Sequence, residues 1–551
     1  MPISGQSRIS VSTPPTSPSS ECSYSPQTEF GPTPELKPLP KSFPPLACYD
    51  PTLAVPFDMS ILTISHKQDV NSIKALVVGG GITGLSMAIM MHLAGMEFEI
   101  LERSTGDEPV MGSAIPLGPP VLRLFEQMDL LPQIERASKV VTGINIMDDE
   151  SRRLGRVEGV KEDRYGYPMR VMMREALHTI LMEKIPPANL HRGKVVVKTL
   201  QNANGASCKC SDGSTYYGDI IIGADGAQSL TREKMFLPLI EKSEIFLEDL
   251  EPSQYQHILS AGTTDPLDQT SFPTAQDLTT EIQVIASKEN QASFWYIPLV
   301  DDRVAWGLCA SITTKVRPQR YSRHNSLGPT NAERVSNSSS TDPGPTKNPT
   351  PRFYDDWLVQ SDIDLEERFK NLLDKRYATG PGTIRDLIAH TPKKAISTID
   401  MEERIYRAWY SERIVLIGDA CHHQLNVGGQ NPTQGILDAV CLVNLLRKME
   451  SRSPAEYAQV FKKYQQKRIV DVKTSFQETR QIDKIIQKQG FVTNIMRKLM
   501  PNSFVFSMKN DKVNNNQPQL SFLPFVPDRR PSTANLQERS KKLTGERTLS
   551  I

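Results

Sequence analysis

The sequence predicts an α/β fold in which a parallel sheet is combined with an inserted antiparallel sheet. Three observations support this fold class. An apolar strand at residues 75–78 leads directly into a glycine-rich turn and an apolar helix. Two later apolar segments, 219–222 and 414–417, have the composition of buried strands, and each is followed closely by an aspartate. Segments 193–226 and 291–312 contain pairs of strands separated by turn residues, as is typical of antiparallel hairpins.

The glycine-rich turn has the pattern G-x-G-x-x-G, with glycines at Gly79, Gly81 and Gly84. In such a turn the first glycine permits a tight backbone, the second lets a pyrophosphate approach, and the third allows close helix packing. The helix that follows points its unpaired N–H groups at the phosphates. Glu102 ends the next strand, where a carboxylate binds a ribose hydroxyl in this fold. The segment therefore predicts a Rossmann-like dinucleotide-binding domain, although glycines alone would also suit an ordinary strand-to-helix corner.

The two later strands place Asp225 and Asp419 just beyond their carboxyl ends. Ligands of an open parallel sheet bind beyond the carboxyl ends of its strands. We therefore expect Glu102, Asp225 and Asp419 to meet in one crevice. Helix capping is the alternative explanation for each aspartate, because Asp is a common N-cap residue.

Composition limits the classes of protein that this chain can represent. The formal net charge is +1 over 551 residues, so the sequence has no basic footprint for nucleic acid. Seven cysteines without a secretory segment predict a reducing compartment, and we expect a cytoplasmic protein. The apolar segment 490–508 contains Arg497 and Lys498 and could touch a membrane surface. A helix packed on the main domain is the favoured interpretation.

Runs of Ser, Pro and Thr divide the chain into segments. We expect the Pro/Ser-rich N-terminal segment to be disordered and the polar C-terminal tail to be solvated. The predicted boundaries are 1–70 for the disordered segment, 71–240 and 400–470 for the dinucleotide-binding domain, 241–399 for the sheet domain with a disordered insertion at 316–352, 471–509 for C-terminal helices, and 510–551 for the tail.

The order of motifs resembles that of the FAD-dependent monooxygenases of the single-component, aromatic-hydroxylase-like family, and most closely their fungal secondary-metabolism branch. The motifs are the G-x-G-x-x-G turn with its acid, the helix R-x-x-L-x-x-x-L from Arg174, the D-G-x-x-S-x-x-R segment from Asp225, and R-I-V-L-I-G-D-A ending after Asp419. The resemblance covers residues 73 to 470. It implies an FAD-binding domain of the glutathione-reductase (GR2) type with an inserted antiparallel sheet that binds substrate.

The resemblance also implies roles for individual residues. Glu102 corresponds to the residue that binds the adenosine ribose, and Arg174 to one that meets FAD. Asp225 lies in a motif that serves both FAD and the nicotinamide donor, and Asp419 corresponds to the contact with the ribityl chain. Gly112 lies in a loop near the flavin. The implied co-reactants are O₂ and NADPH or NADH as a transient donor, and no general acid or base is assigned.

The sequence departs from the family pattern after Asp419. Where the family usually has a proline and then G-Q-G-x-N, this chain has Asn426 and then Gly429-Gln430-Asn431-Pro432-Thr433. Pro432 has no N–H, so one backbone donor to the flavin is absent if the loop keeps its usual shape. We expect a helix from about Thr433 that still directs its positive end at the flavin.

The predicted substrate is a hydrophobic or aromatic small molecule, which would be hydroxylated or epoxidised. We expect the substrate to bind on the sheet that contains Phe294, Trp295, Tyr296 and Trp306. Alternate residues of its strands should face the flavin. Ordinary core packing is an equally good explanation for each aromatic residue. The alternatives in function are a reductase or halogenase on the same fold, and a flavin-binding protein that has lost turnover.

Two cysteine-containing clusters suggest metal sites but fit that interpretation poorly. The side chains of Cys421, His422 and His423 are adjacent in sequence and should diverge, and no distant ligands are apparent. Cys208 and Cys210 lie in a predicted strand, and no second pair completes a zinc site. We therefore predict no metal.

Overall fold

The structure is a computed structural model, and it describes residues 73–106, 113–148, 150–251, 253–268, 278–287, 292–317, 369, 372–375, 382–423, 430–487 and 514–530. The predictions for residues 1–70, Gly112, Asn426, segment 490–508, the end of the tail and most of the insertion at 316–352 fall outside this part of the chain.

The described residues form strands and helices of both the parallel and the antiparallel parts that the sequence predicts. The strands are β1 (Lys74–Val78), β2 (Glu97–Leu101), β3 (Ala114–Leu117), β4 (Ser138–Asp148), β5 (Arg153–Glu158), β6 (Arg170–Met173), β7 (Leu190–His191), β8 (Val196–Gln201), β9 (Ala206–Cys210), β10 (Thr215–Gly218), β11 (Ile220–Gly223), β12 (Ser253–Thr263), β13 (Thr279–Ala286), β14 (Ala292–Pro298), β15 (Val304–Arg317), β16 (Ser397–Glu402), β17 (Arg404–Ile405), β18 (Tyr410–Ser411), β19 (Ile414–Leu416) and β20 (His422–His423). The helices are α1 (Ile82–Leu93), α2 (Pro119–Gln127), α3 (Leu131–Arg136), α4 (Glu162–Tyr165), α5 (Arg174–Met182), α6 (Leu230–Glu241), α7 (Ile384–Ala389), α8 (Gln430–Leu446) and α9 (Pro454–Gln487).

The first sheet has six strands in the order β18-β19-β11-β1-β2-β7. The four strands β2, β1, β11 and β19 run parallel. The short β7 is also parallel, beside β2 at one edge, and β18 is antiparallel to β19 at the other. β11 and β19 are buried along their whole length, which explains why their sequences are continuously apolar. Because these four parallel strands end at the same edge, the turns that follow them are brought together there.

The second sheet has nine strands, with the path β16-β12-β15-β14-β13-β4-β6-β3 and β5 paired to β4. The hairpin β14–β15 is confirmed, and Asp301 and Asp302 at its turn have φ of 56° and 54°, as a tight hairpin turn requires. Strands β3 to β6, however, come from residues 114–173, which the sequence analysis places in the other domain. They join this sheet because β4 pairs in parallel with β13. Pairing between residues so far apart in the chain produces no recognisable pattern in the local sequence.

Strands β8, β9 and β10 form a separate three-stranded antiparallel sheet, confirming the predicted hairpins in segment 193–226. Cys208 and Cys210 are buried residues of β9, as the strand interpretation predicts. Burial raises the pKa of the Cys208 thiol well above its usual value. Among the described helices, none is both long and apolar enough to cross a membrane.

The C-terminal part differs from the predicted boundaries in two ways. Helix α9 continues without a break across residue 470, where a boundary was expected. Residues 514–530, predicted as solvated tail, pack on α2 and α8 instead. Leu520 is 1% exposed and exchanges two backbone hydrogen bonds with the Gln127 side chain, at 2.7 and 3.0 Å. Asn444 donates to the carbonyl of Gln519 at 2.8 Å. Hydrogen bonds between side-chain amides and the backbone cannot be predicted from the composition of a segment.

The buried leucine in this segment should matter more for stability than the larger exposed phenylalanine near it. Leu520→Ala should lower the free energy of unfolding by about 2–3 kcal/mol, because it removes a buried side chain. Phe525→Ala removes more atoms, but Phe525 is 72% exposed and the loss should stay below about 1 kcal/mol. Urea denaturation of both variants measures the difference. Equal losses would show that segment 514–530 does not pack as described.

Candidate active site

The glycine turn brings α1 into direct contact with the ends of β1 and β11. Gly79 has φ of +106°, and a β-carbon there would lie 2.5 Å from the carbonyl oxygen of Ala224. A β-carbon at Gly84 would lie 2.0 Å from the carbonyl oxygen of Gly79. Gly81 differs, because it has φ of −74° at the N-cap of α1 and a β-carbon there would meet nothing within 4 Å. Gly79 and Gly84 therefore allow α1 to pack closely against the strand ends, whereas Gly81 borders open space.

Glu102 follows β2, as predicted, and its carboxylate holds the glycine turn. One oxygen accepts the N–H of Gly80 at 2.5 Å, and the other accepts the N–H of Ser104 at 2.7 Å. On the other side of the turn, the Nε2 atom of His178 lies 2.9 Å from the carbonyl oxygen of Gly80. Sequence reasoning missed His178, which lies on α5 near Arg174. The turn is therefore fixed through both polar groups of Gly80.

Asp225 lies in the loop before α6, and it accepts hydrogen bonds from residues at the N-terminus of that helix, as a capping residue does. One oxygen accepts from the Ser229 hydroxyl at 2.5 Å, and the other accepts the N–H of Thr231 at 2.9 Å. The Ser229 hydroxyl in turn accepts the N–H of Arg232. The capping explanation therefore accounts for the hydrogen bonds of Asp225 within the chain, and its predicted role toward FAD stays a prediction.

Arg232, the last residue of the D-G motif, joins the Asp225 loop to the Asp419 loop. It donates to the carbonyl of Ala227 at 2.8 Å and to that of Ala420 at 2.9 Å. Its guanidinium also lies 4.2 Å from the ring centre of Tyr406, which is a cation–π distance. The motif was recognised in the sequence, but the partners of this arginine could not be predicted because Ala420 lies 188 residues away.

Asp419 lies in the turn after β19, beside Arg174 at the start of α5. It is half-buried, and within the described part of the chain its carboxylate accepts no hydrogen bond. Burial lowers the pKa of the Arg174 guanidinium, and the charge of Asp419 opposes that effect, so the two side chains interact electrostatically. The backbone N–H of Arg174 donates to the carbonyl of Ser113 at 3.1 Å. Of the three predicted acids, Asp419 is the one whose oxygens accept no hydrogen bond from the residues that the structure describes.

Helix α8 begins at Gln430, three residues before the predicted start at Thr433. Pro432 therefore lies in the first turn, where backbone N–H groups have no partner within the helix and proline is tolerated. The helix crosses the start of α1 closely, because a β-carbon at Gly435 would lie 2.2 Å from the Thr83 hydroxyl. A β-carbon at Gly418 would lie 3.0 Å from the same hydroxyl. The N-terminal turns of α1 and α8 and the Asp419 loop thus meet at one edge of the sheet.

The residues after Asp419 explain the suspected metal cluster. Ligand atoms of Cys421, His422 and Asp438 lie within 4.8 Å of one another. However, His422 Nε2 lies 2.7 Å from one oxygen of Asp438, and Arg468 donates to the other oxygen at 2.8 Å. The Arg468 guanidinium already compensates the charge of this carboxylate, so the carboxylate would attract a further cation only weakly. His422 is held by Asp438 inside this buried group, and His423 pairs separately with Glu402 at 2.9 Å.

The four aromatic residues of the predicted substrate floor lie on opposite faces of the second sheet. Phe294, Tyr296 and Trp306 are buried in a core that also contains Ile384 and Leu387 of α7. The expectation that these three border the substrate is wrong, because strand alternation points them at the covering helix.

Trp295 lies on the other face of the sheet, and it is half-buried. It packs there against the cluster that contains Met401 and Cys309. It also packs on a second small apolar cluster, against which Met173, the residue that precedes Arg174, packs as well. A β-carbon at Gly307 would lie 2.4 Å from the Trp295 ring, so the indole lies across the neighbouring strand at a residue without a side chain.

Residues 72–257 and 316–476 match the FAD binding domain family, and together they make up more than half of the chain. The chain belongs to this family. It is 24% identical to an FAD-dependent monooxygenase of Aspergillus versicolor over 431 residues, which are 77% of this chain and 78% of that protein. It is 23% identical to an FAD-dependent monooxygenase of Aspergillus flavus over 479 residues, 83% and 88% of the two chains.

A solved structure has a similar fold at low sequence identity. HpxO of Klebsiella pneumoniae, crystallised with FAD and uric acid, superimposes with a TM-score of 0.58 and 16% identity, covering 81% of this chain and 96% of that one. The predicted fold class, a Rossmann-like FAD-binding domain with an additional antiparallel sheet, is confirmed.

Two glycines of the turn should respond differently to the same substitution. Gly84→Ala should lower the free energy of unfolding by roughly 1–3 kcal/mol or more, because the new methyl group meets backbone. Gly81→Ala should change it by less than about 1 kcal/mol, since the backbone is allowed and the space is open. Gly81→Ala should nevertheless weaken FAD binding about tenfold or more, because the methyl group occupies the space beside the helix N-terminus.

Thermal or urea unfolding of the apoprotein and FAD titration monitored by flavin fluorescence separate the two effects. Gly81→Ala with unchanged FAD affinity would show that the cofactor does not approach this residue.

Proposed function

We propose that this protein is an FAD-dependent monooxygenase that uses NADPH or NADH and O₂ to hydroxylate or epoxidise a hydrophobic small molecule. Membership of the FAD binding domain family and the names of the relatives support this proposal. The observation that carries it is the meeting of three chain segments, at Gly81, Asp225 and Asp419, at the carboxyl edge of one parallel sheet. Open space beside Gly81 and an available carboxylate at Asp419 are what a dinucleotide with a polyhydroxyl chain requires.

The residues at this edge fit FAD in charge and in hydrogen-bonding capacity. The N–H groups at the start of α1 suit the anionic pyrophosphate, and the open space at Gly81 admits it. Carboxylates accept hydrogen bonds from hydroxyl groups, so Glu102 is assigned to the adenosine ribose and Asp419 to the ribityl chain. When bound, FAD supplies electron transfer from the nicotinamide donor and the activation of O₂.

The positive groups around the site suit a cofactor that gains negative charge. The first-turn amides of α8, except at Pro432, contribute the positive end of a helix dipole. The guanidinium of Arg174, close to Asp419, adds a full positive charge. Pro432 lies where its missing N–H costs the helix nothing, but it still offers no backbone donor to the flavin. Loss of turnover therefore stays the alternative that the turnover experiment tests.

The face of the second sheet that carries Trp295 is assigned to the substrate. Its neighbours Leu259, Ala261, Cys309 and Met401 are apolar. Met173, which directly precedes α5, packs on the same second cluster as Trp295. Apolar walls bind hydrophobic molecules and keep water from the reacting groups. The substrate class is therefore a hydrophobic small molecule, with the indole of Trp295 as its aromatic contact.

Glu102→Ala and Asp419→Ala should each weaken FAD binding at least about tenfold while the protein stays folded. Each removes a carboxylate assigned to cofactor hydroxyls, and Glu102→Ala also frees the N–H of Gly80. Glu241→Ala, at the exposed end of α6, is the matched control and should bind FAD normally. FAD fluorescence titration with circular dichroism measures affinity and folding. Wild-type affinity in both site variants would contradict the assignments.

Turnover is tested with the FAD-loaded protein, NADPH or NADH, and a panel of terpenoid, polyketide and phenolic compounds. A monooxygenase should consume O₂ in a substrate-dependent way and yield a product that carries one atom from ¹⁸O₂. Nicotinamide oxidation without oxygen in the product would indicate a reductase, and chloride-dependent product mass would indicate a halogenase. A yellow protein that never accelerates nicotinamide oxidation would indicate a flavin-binding protein without turnover.

A further inference from the structure

A buried arginine of α9 contacts two residues of α8, the helix whose N-terminal turn borders the candidate site. Arg468 is 4% exposed, and its Nε atom donates to an oxygen of Asp438 at 2.8 Å. One of its terminal nitrogens donates to the side-chain oxygen of Gln434 at 2.6 Å, and the other donates to Asp471 at 2.9 Å. Gln434 follows the first turn of α8. The three bonds use the fork of donors that a guanidinium provides.

Asp438 carries the connection onward to the Asp419 loop. It is fully buried in α8, and its second oxygen accepts the backbone N–H of Gly418 at 2.8 Å and lies 2.7 Å from His422 Nε2. Burial raises the pKa of Asp438, but His422 and Arg468 outweigh burial and lower the pKa below its usual value. The carboxylate is therefore ionised at neutral pH. Gly418 immediately precedes Asp419, so one ionic network extends from α9 to the residue assigned to the ribityl chain.

The position of this network explains why α9 should matter for the cofactor. Burying an ion pair is costly unless its geometry and its further hydrogen bonds are good, and here every oxygen of Asp438 has a partner. These bonds connect α9 to two specific places, the second turn of α8 and Gly418. Both places border the same edge of the sheet.

We infer that Arg468 is a positioning residue for FAD, which sets the N-terminal part of α8 through Gln434 and the Asp419 loop through Asp438 and Gly418. This inference rests on the proposed function, because it assigns the two positioned elements to the flavin. Lysine would keep the positive charge but could not donate to Asp438, Gln434 and Asp471 in the same planar arrangement. Arg468→Lys therefore tests positioning with the charge of Asp438 still compensated.

The experiment is a titration of apoprotein with FAD, followed by flavin fluorescence and absorption, well below the unfolding temperature. Arg468→Lys should raise the dissociation constant for FAD at least tenfold and shift the flavin absorption bands. Arg480→Lys is the matched control, because Arg480 lies on the same helix and pairs with Glu403 at an exposed site. It should bind FAD as the wild type does.

Two further variants separate positioning from a loss of folding. Gln434→Met breaks only the neutral contact, keeps the buried ion pair, and should raise the dissociation constant severalfold. In an Asp438→Asn background, Arg468→Lys should have a smaller effect than it has alone, because part of the network is already lost.

The outcomes distinguish this inference from the proposed function. If Arg468→Lys and Gln434→Met lower the thermal midpoint of the apoprotein but leave FAD affinity at the wild-type value, Arg468 has only a structural role and the inference is wrong. If the wild-type protein itself takes up no FAD, the proposed function fails and this inference fails with it.

Discussion

The site depends on close contact between the N-terminal turn of α1 and the ends of two parallel strands. That contact exists because Gly79 and Gly84 lack side chains, and a single methyl group at Gly84 would overlap backbone. The first N–H groups of α1 have no partner within the helix, and they lie at the edge where the other strands end. A negatively charged group can approach these N–H groups because Gly81 has no side chain in its path.

Charge is distributed around this edge in two ways. Glu102 is held by backbone donors from the glycine turn and from its own turn, and Asp225 is held by backbone and hydroxyl donors at the start of α6. These bonds fix the shape of the turns. Asp438, deeper in the core, is compensated by Arg468 and fixes a turn at a distance. Asp419 has neither kind of support for its oxygens in the described part of the chain, and it interacts with Arg174 across the crevice. A rigid surround with one available acid is the arrangement expected of a site that is formed before its ligand arrives.

The sequence predicts those parts of the site whose signal is local. The glycine turn, the acids that follow buried strands and the hairpin at Asp301 depend on neighbouring residues, and each is found where it was expected. The partners of Arg232 and Asp438 were not predictable in this way, because they lie far away in the chain. A lone acid among apolar residues of α8 was the available signal for a buried ion pair. The prediction that Phe294 and Trp306 face the substrate was wrong. Alternation along a strand assigns residues to two faces of the sheet, but it does not indicate which face a helix covers.

The most direct measurement is a structure of the protein crystallised with FAD. We expect the pyrophosphate to lie beside the backbone N–H of Gly81 and the adenosine ribose beside Glu102. A ribityl hydroxyl should lie within hydrogen-bond distance of Asp419. FAD bound away from this edge of the parallel sheet, or bound there without contact to these residues, would contradict this expectation.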